Sequence, residues 1–192
     1  MTDVPPAERA FVKPLIGAAA ALVVIFGFWY YKSPESTKVK VGMMAPDLEL
    51  PMRGSSGATR LSTFRGHPIL LAMFMSTCHT CVDEVPHLER LHREFRAQGL
   101  VVLGVDVDAE YVARESFLRN AEVTFGVFVD PNGRAVREAY GSWKMPEAYL
   151  IDATGRVDAV YLGSVNWRSP EIRDRVRKLL LAAAEPAPRL ST

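Results

Sequence analysis

An uninterrupted apolar run at residues 69–75 places the strongest constraint on the fold of this chain. The run is too short for an isolated helix and is typical of a β-strand buried on both faces. After it, the apolar positions recur every three or four residues, at Val82, Val85, Leu88, Leu91 and Phe95. This spacing predicts an amphipathic helix that ends before Gly99. A buried strand that leads directly into such a helix requires a sheet with helices packed on both of its faces.

The rest of the chain continues this alternation of strands and helices. Strand patterns occur at 100–107, 127–129, 148–151 and 157–162, helix patterns at 110–119 and 172–183, and turn residues at 130–133 and 152–155. The last two strands flank a tight turn and therefore predict a hairpin. The sequence predicts an α/β fold with a mixed central sheet flanked by helices.

The chain has only two cysteines, Cys78 and Cys81, which lie between the predicted strand and helix. At a helix N-terminus the free N–H groups and the helix dipole favour a thiolate, so Cys78 is the expected nucleophile. Cys81, nearly one helical turn later, is placed to resolve a mixed disulfide. Two alternatives stay open: a purely structural disulfide, and half of a Cu(I) site that includes His79.

The N-terminal segment has a different composition from the rest. Residues 15–31 carry no charge and end in Trp-Tyr-Tyr, and a helix of this length spans about 25 Å. We expect a single transmembrane anchor there, after a cytoplasmic tail at 1–14; a cleaved signal peptide is the alternative. Residues 32–41 are expected to be a linker, 42–185 the folded domain and 186–192 a flexible tail. The flanking lysines and arginines do not settle the orientation.

The overall charge argues against one class of partner. The chain has 23 Lys and Arg residues against 22 Asp and Glu residues, so it lacks the excess of positive charge typical of nucleic-acid binding. We expect no nucleic-acid partner.

Three segments together resemble one protein family. They are MAPDLELP at 44–51, RLSTFRGHPILLAMFMSTCHTCVDEVPHLERLHREF at 60–95 and KMPEAYLIDATGRV at 144–157. They are similar, in order and in separation, to the membrane-anchored thioredoxin-like proteins of the TlpA, ResA and CcmG (DsbE) type. The resemblance covers nearly all of residues 42–182 and implies a thioredoxin-like fold.

The resemblance also implies roles for individual residues. Cys78 matches the attacking cysteine and Cys81 the resolving one, so the pair would form a redox-active disulfide. Glu84 matches an active-site acid that would raise the thiol pKa values and relay a proton; otherwise it is an ordinary exposed helix residue. Pro146 matches a cis-proline opposite the cysteines, which would leave the backbone of Met145 free to bind an extended substrate.

Three further positions are expected to contact the substrate. Glu147 resembles the Pro-Glu of CcmG-like members, while Thr77 and His79 depart from the family pattern. A tryptophan often stands where this chain has Thr77, and His79 belongs to the dipeptide that tunes the redox potential.

As a whole, the resemblance implies a thiol:disulfide oxidoreductase that needs no cofactor and acts in the periplasm from a bacterial inner-membrane anchor. Its expected clients are disulfides of apocytochrome c or of copper-site assembly proteins, and a membrane thiol-electron transporter would reduce it. A copper-binding metallochaperone and a non-catalytic assembly factor remain the alternatives.

Overall fold

The computed structural model describes residues 37–185, which build a five-stranded sheet with the strand order β5-β4-β3-β6-β7. Strands β3, β4 and β5 are parallel, whereas β6 and β7 run antiparallel to their neighbours. The bounds are β3 Ile69–Phe74, β4 Val101–Asp106, β5 Gly126–Val129, β6 Glu147–Ile151 and β7 Val157–Leu162. A separate two-stranded sheet pairs β1 Glu49–Pro51 with β2 Ala58–Arg60.

Helices cover both faces of the sheet, as the sequence predicts. They are α1 His79–Phe95, α2 Tyr111–Asn120, α3 Arg134–Tyr140 and α4 Pro170–Ala184. One core joins the first face of the sheet to α1, α2 and α4, and the other joins the second face to α3 and the residues before β3. Every residue of β3 is buried, because this central strand packs on both cores.

Within the described residues, packing contacts already occur at 37–41, before the start near Gly42 that we expected. The backbone N–H of Lys38 donates to the carbonyl of Tyr140 over 2.7 Å, and Val39 is 1% exposed. A Cβ on Gly141 would lie 2.9 Å from the Lys38 nitrogen, so a glycine lets the two backbones approach. Residues 37–41, assigned to the linker from composition, therefore pack against the domain.

Three elements, β1, β2 and α3, were absent from the sequence interpretation. The strands β1 and β2 are only three residues long, too short for a clear alternating pattern. Helix α3 follows the Asp-Pro-Asn-Gly turn directly. The Asp130 carboxylate accepts the backbone N–H groups of Ala135 at 3.2 Å and Val136 at 2.9 Å, so the predicted turn also starts a helix.

Residues 37–185 contain no helix long and apolar enough to cross a bilayer. The expected anchor at 15–31, the preceding tail and the tail at 186–192 lie outside the described residues.

Gly104 of β4 gives a prediction about stability. A Cβ at this position would lie 2.7 Å from the ring of the buried Phe74 and 3.1 Å from that of Phe125. We expect Gly104→Ala to lower the free energy of unfolding by about 1–3 kcal/mol, because the rings must shift within a close-packed core. Urea unfolding measures the change. Gly57→Ala is the matched control, since nothing lies within 4 Å of its Cβ. An equal midpoint for both variants would contradict the packing described here.

Candidate active site

Cys78 is the N-cap residue of helix α1, and its sulfur faces the free N–H groups of the first turn. Its backbone is extended, with φ −90° and ψ 108°, and its Sγ accepts the backbone N–H of Cys81 at 3.2 Å. The hydroxyl of Thr80 lies 3.3 Å from the same sulfur. These donors and the positive end of the helix dipole favour negative charge on the Cys78 sulfur.

The two cysteines form a disulfide and differ in accessibility. Cys78 is half-buried and has the exposed residues Thr77 and His79 on either side, whereas Cys81 is 0% exposed. An incoming sulfur can therefore reach Cys78 but not Cys81. This asymmetry supports the assignment of Cys78 as the attacking cysteine and Cys81 as the resolving one.

The loop before β6 lies against the cysteine pair. The peptide bond between Met145 and Pro146 is cis, as the resemblance implied. Met145 packs against both cores, and Pro146 lines the same small cavity as Cys81. The structure therefore brings the CxxC turn, Met145 and Pro146 together at one end of the sheet.

Glu84 is a buried residue rather than an exposed one, since 5% of its surface is accessible. Its Oε1 accepts the backbone N–H of Val165, and its Oε2 accepts the indole N–H of Trp167 at 3.2 Å. Glu84 thus ties helix α1 to the loop between β7 and α4. Neither Val165 nor Trp167 was singled out from the sequence, because no local pattern indicates that this loop folds over α1.

A cavity of about 10 Å³ lies beneath the disulfide, between Cys81, Glu84, Pro146 and Trp167. This volume is close to the minimum for one water molecule. Cys81 and Glu84 both line this cavity and lie on the same face of α1.

Glu147 does not present its carboxylate to a substrate as we expected. Its side chain is 4% exposed and lies on the sheet face that carries Tyr149. Ser142 Oγ donates to Oε2 over 2.5 Å, the Tyr149 hydroxyl donates to Oε1, and that hydroxyl also contacts the hydroxyl of Thr37. The alternation of side chains along β6 explains this result. Glu147 therefore ties the cis-proline loop to Ser142 and, through Tyr149, to Thr37.

A pair of aspartates behind the CxxC turn was missed from the sequence. The Asp108 carboxylate accepts the backbone N–H and the hydroxyl of Ser76, each at 2.9 Å. Asp106, the last residue of β4, is 0% exposed. The Asp-Val-Asp pattern at the end of a buried strand, next to the strand that carries the cysteines, was the signal that could have identified them.

Replacing Glu84 by alanine is expected to destabilise the folded chain. The change leaves the N–H groups of Val165 and Trp167 without their acceptor, which costs about 2–4 kcal/mol for one part-buried and one buried donor. Urea unfolding measures the loss, and Glu84→Gln, which keeps one acceptor oxygen, should lose less. The neighbouring exposed Asp83 provides the control: if Asp83→Ala costs as much as Glu84→Ala, the buried bonds do not carry the effect.

Within the described part of the chain, no group of three or more His, Cys, Asp or Glu side chains is arranged to hold a metal ion.

Comparison with known proteins agrees with this geometry. The model of the AhpC/TSA family matches residues 41–160. Thiol-disulfide oxidoreductase ResA of Geobacillus kaustophilus is 30% identical over 147 residues, covering 75% of this chain and 83% of the relative. ResA of Bacillus subtilis is 26% identical over 160 residues, covering 82% and 87%.

A solved structure from Chlorobium tepidum, assigned as a thiol:disulfide interchange protein DsbE, superimposes with a TM-score of 0.63. It is 29% identical and covers 76% of this chain and 99% of the other. The thioredoxin-like fold implied by the resemblance is therefore confirmed. With its CxxC pair at the start of α1, the chain belongs to the AhpC/TSA family and is a thiol:disulfide oxidoreductase of the ResA/CcmG kind.

Proposed function

We propose that this oxidoreductase reduces disulfides of client proteins on the exported face of a bacterial inner membrane, in cytochrome c maturation or in the assembly of a respiratory copper centre. The observation that carries the proposal is the asymmetry of the pair: an accessible Cys78 at a helix N-terminus with a fully buried Cys81 behind it. The ResA relatives and the DsbE neighbour support this class of reaction.

The reaction balances with the two cysteines alone. The Cys78 thiolate attacks one sulfur of a client disulfide, forms a mixed disulfide and expels the other client sulfur as a thiolate. The Cys81 sulfur, after losing its proton, attacks Cys78 Sγ and releases the second client thiol. Two electrons pass to the client, and the Cys78–Cys81 disulfide remains. Glu84 is the carboxylate placed to take the Cys81 proton through the shared cavity.

The surface around Cys78 suits a protein client. Val82 is 42% exposed on the first turns of α1, and Trp143, three residues before the cis-proline, is 78% exposed. Exposed large apolar side chains beside a reactive group favour docking of a polypeptide. The backbone of Met145, directly before the cis-proline, can pair with an extended client segment.

The location rests on the sequence. The uncharged residues 15–31 would anchor the chain in the membrane. Client disulfides would form outside the cytoplasm, because disulfides persist in oxidising compartments. A membrane thiol-electron transporter would restore the dithiol after each turnover.

Trapping the client tests the proposal. Full-length Cys81→Ser expressed in the native cell should accumulate mixed disulfides through Cys78, and mass spectrometry should identify apocytochrome c or a copper-site assembly protein. Cys78→Ser is the control and should accumulate none. Absence of adducts, together with unchanged client thiols in a deletion strain, would contradict the proposal. Tight Cu(I) binding by a reduced chain without reductase activity would favour the metallochaperone alternative.

A further inference from the structure

Asp106 and Asp108 form a buried carboxyl pair where β4 ends. The backbone N–H of Asp108 donates to Asp106 Oδ1 at 3.0 Å, and a side-chain hydrogen bond with Asp108 is one of the causes that raise the pKa of Asp106. Asp106 Oδ2 is buried and has no donor. Two carboxylates cannot bond to each other without a proton, so one shared proton supplies the hydrogen that this contact lacks.

The charged groups around Asp106 do not compensate for a second negative charge beside Asp108. Burial, and then the neighbouring charge of Asp108, raises the pKa of Asp106 to about 7, although Arg114 of α2 opposes the shift. Asp130 follows the adjacent strand β5, but its carboxylate accepts N–H groups at the start of α3. The end of β3 adds no ionisable side chain before the turn that carries Cys78 and His79.

Asp108 connects the pair to the redox centre. Both of its oxygens hold Ser76, one through the backbone N–H and the other through the hydroxyl. Ser76 stands two residues before Cys78 in the same turn, and Phe74 pairs with Asp106 in the sheet. A change of charge in the pair therefore acts on the backbone that positions the Cys78 sulfur.

We propose that Asp106 and Asp108 share one proton and act as positioning residues that hold the Cys78 turn through Ser76. The rate of thiol–disulfide exchange at Cys78 then falls as the pH rises through neutrality. With the proton present, the two Asp108 oxygens accept the backbone N–H and the hydroxyl of Ser76. When the proton leaves, two adjacent negative charges repel each other and weaken that anchor. The inference depends on the dithiol chemistry of the chain and not on the identity of its client.

A titration of the full-length protein tests the shared proton. In protein labelled with ¹³C-aspartate and ¹⁵N, the Asp106 carboxyl carbon and the Ser76 amide should shift with one common midpoint near pH 7. The Ser76 transition should vanish in Asp106→Asn, whose amide imitates the protonated acid. A midpoint for Asp106 near its ordinary value of 3.8, or a Ser76 amide that ignores the transition, would overturn the proposal. The titration of the wild-type chain stands even if the variant folds poorly.

A kinetic comparison tests the effect on exchange. The rate at which dithiothreitol reduces the Cys78–Cys81 disulfide is measured for Asp106→Asn and for the wild type. Dividing the variant rate by the wild-type rate at each pH removes the effect of the ionisation of the reagent. The ratio should be close to one at pH 5 and rise to about three- to tenfold at pH 8, since misplacing a reacting group slows its reaction. Asp130→Asn is the control, since Asp130 directly follows the adjacent strand β5, and its rate relative to the wild type should not change with pH. A flat ratio for Asp106→Asn would refute the positioning role.

Discussion

Replacement of Cys78 by serine is expected to lower the rate of disulfide reduction by roughly 10³-fold or more, because the accessible nucleophile is lost and a hydroxyl cannot replace it. The remaining cysteine cannot compensate, since Cys81 is 0% exposed beneath the turn. The assay is reduction of a disulfide-bonded protein by the reduced chain, followed by counting the thiols that appear.

Cys81→Ser is the matched control for this prediction. It keeps the Cys78 nucleophile and should form one mixed disulfide per chain but complete no turnover, because no second sulfur releases the product. The two single variants therefore differ in kind: one forms no adduct and the other forms an adduct that persists. Comparable turnover by Cys78→Ser and wild type would show that another group attacks the client.

The second large effect concerns stability and pH. In the folded chain Asp106 keeps its proton up to about pH 7, whereas in the unfolded chain it loses the proton near 3.8. Between these values the folded state binds more protons than the unfolded state, so its stability falls as the pH rises and then levels off above 7. The loss is at most about 4 kcal/mol, since each pKa unit corresponds to about 1.4 kcal/mol.

The difference between Asp106→Asn and the wild type isolates this contribution. The variant should be the more stable of the two at pH 8, and its advantage should disappear toward pH 4. Urea unfolding of the full-length chain at a series of pH values measures both curves. Gly104→Ala, on the same strand but without an ionisable group, should instead lie below the wild type by a constant amount. An Asp106→Asn curve that also runs parallel to the wild type would contradict the account.

The periodic elements of this fold could be predicted from sequence because their signal is repeated along the chain. The apolar run at β3 and the three- to four-residue spacing along α1 gave elements close to those observed, Ile69–Phe74 and His79–Phe95. The three-residue strands β1 and β2 and the seven-residue α3 offer too few positions for a period to emerge. Contacts across the chain, such as Lys38 with Tyr140, leave no local pattern.

In the candidate site, too, contacts between residues far apart in the sequence could not be predicted. Neighbours along one helix, Cys78, Cys81 and Glu84, could be placed relative to each other from their spacing. The orientation of Glu147 could not, because it depends on which face of β6, the one that carries Glu147 and Tyr149, lies against Ser142. The partners of Glu84 lie 81 and 83 residues away, so only the folded chain brings them together.

The central claim is that Cys78 is the reactive sulfur and Cys81 the protected one. The most direct measurement reduces the full-length chain without oxygen, adds less than one equivalent of iodoacetamide at pH 7, and locates the modified cysteine by mass spectrometry. We predict modification almost entirely at Cys78, in agreement with its place at the helix N-terminus and with the full burial of Cys81. Equal modification of both cysteines, or preferential modification of Cys81, would contradict the assignment.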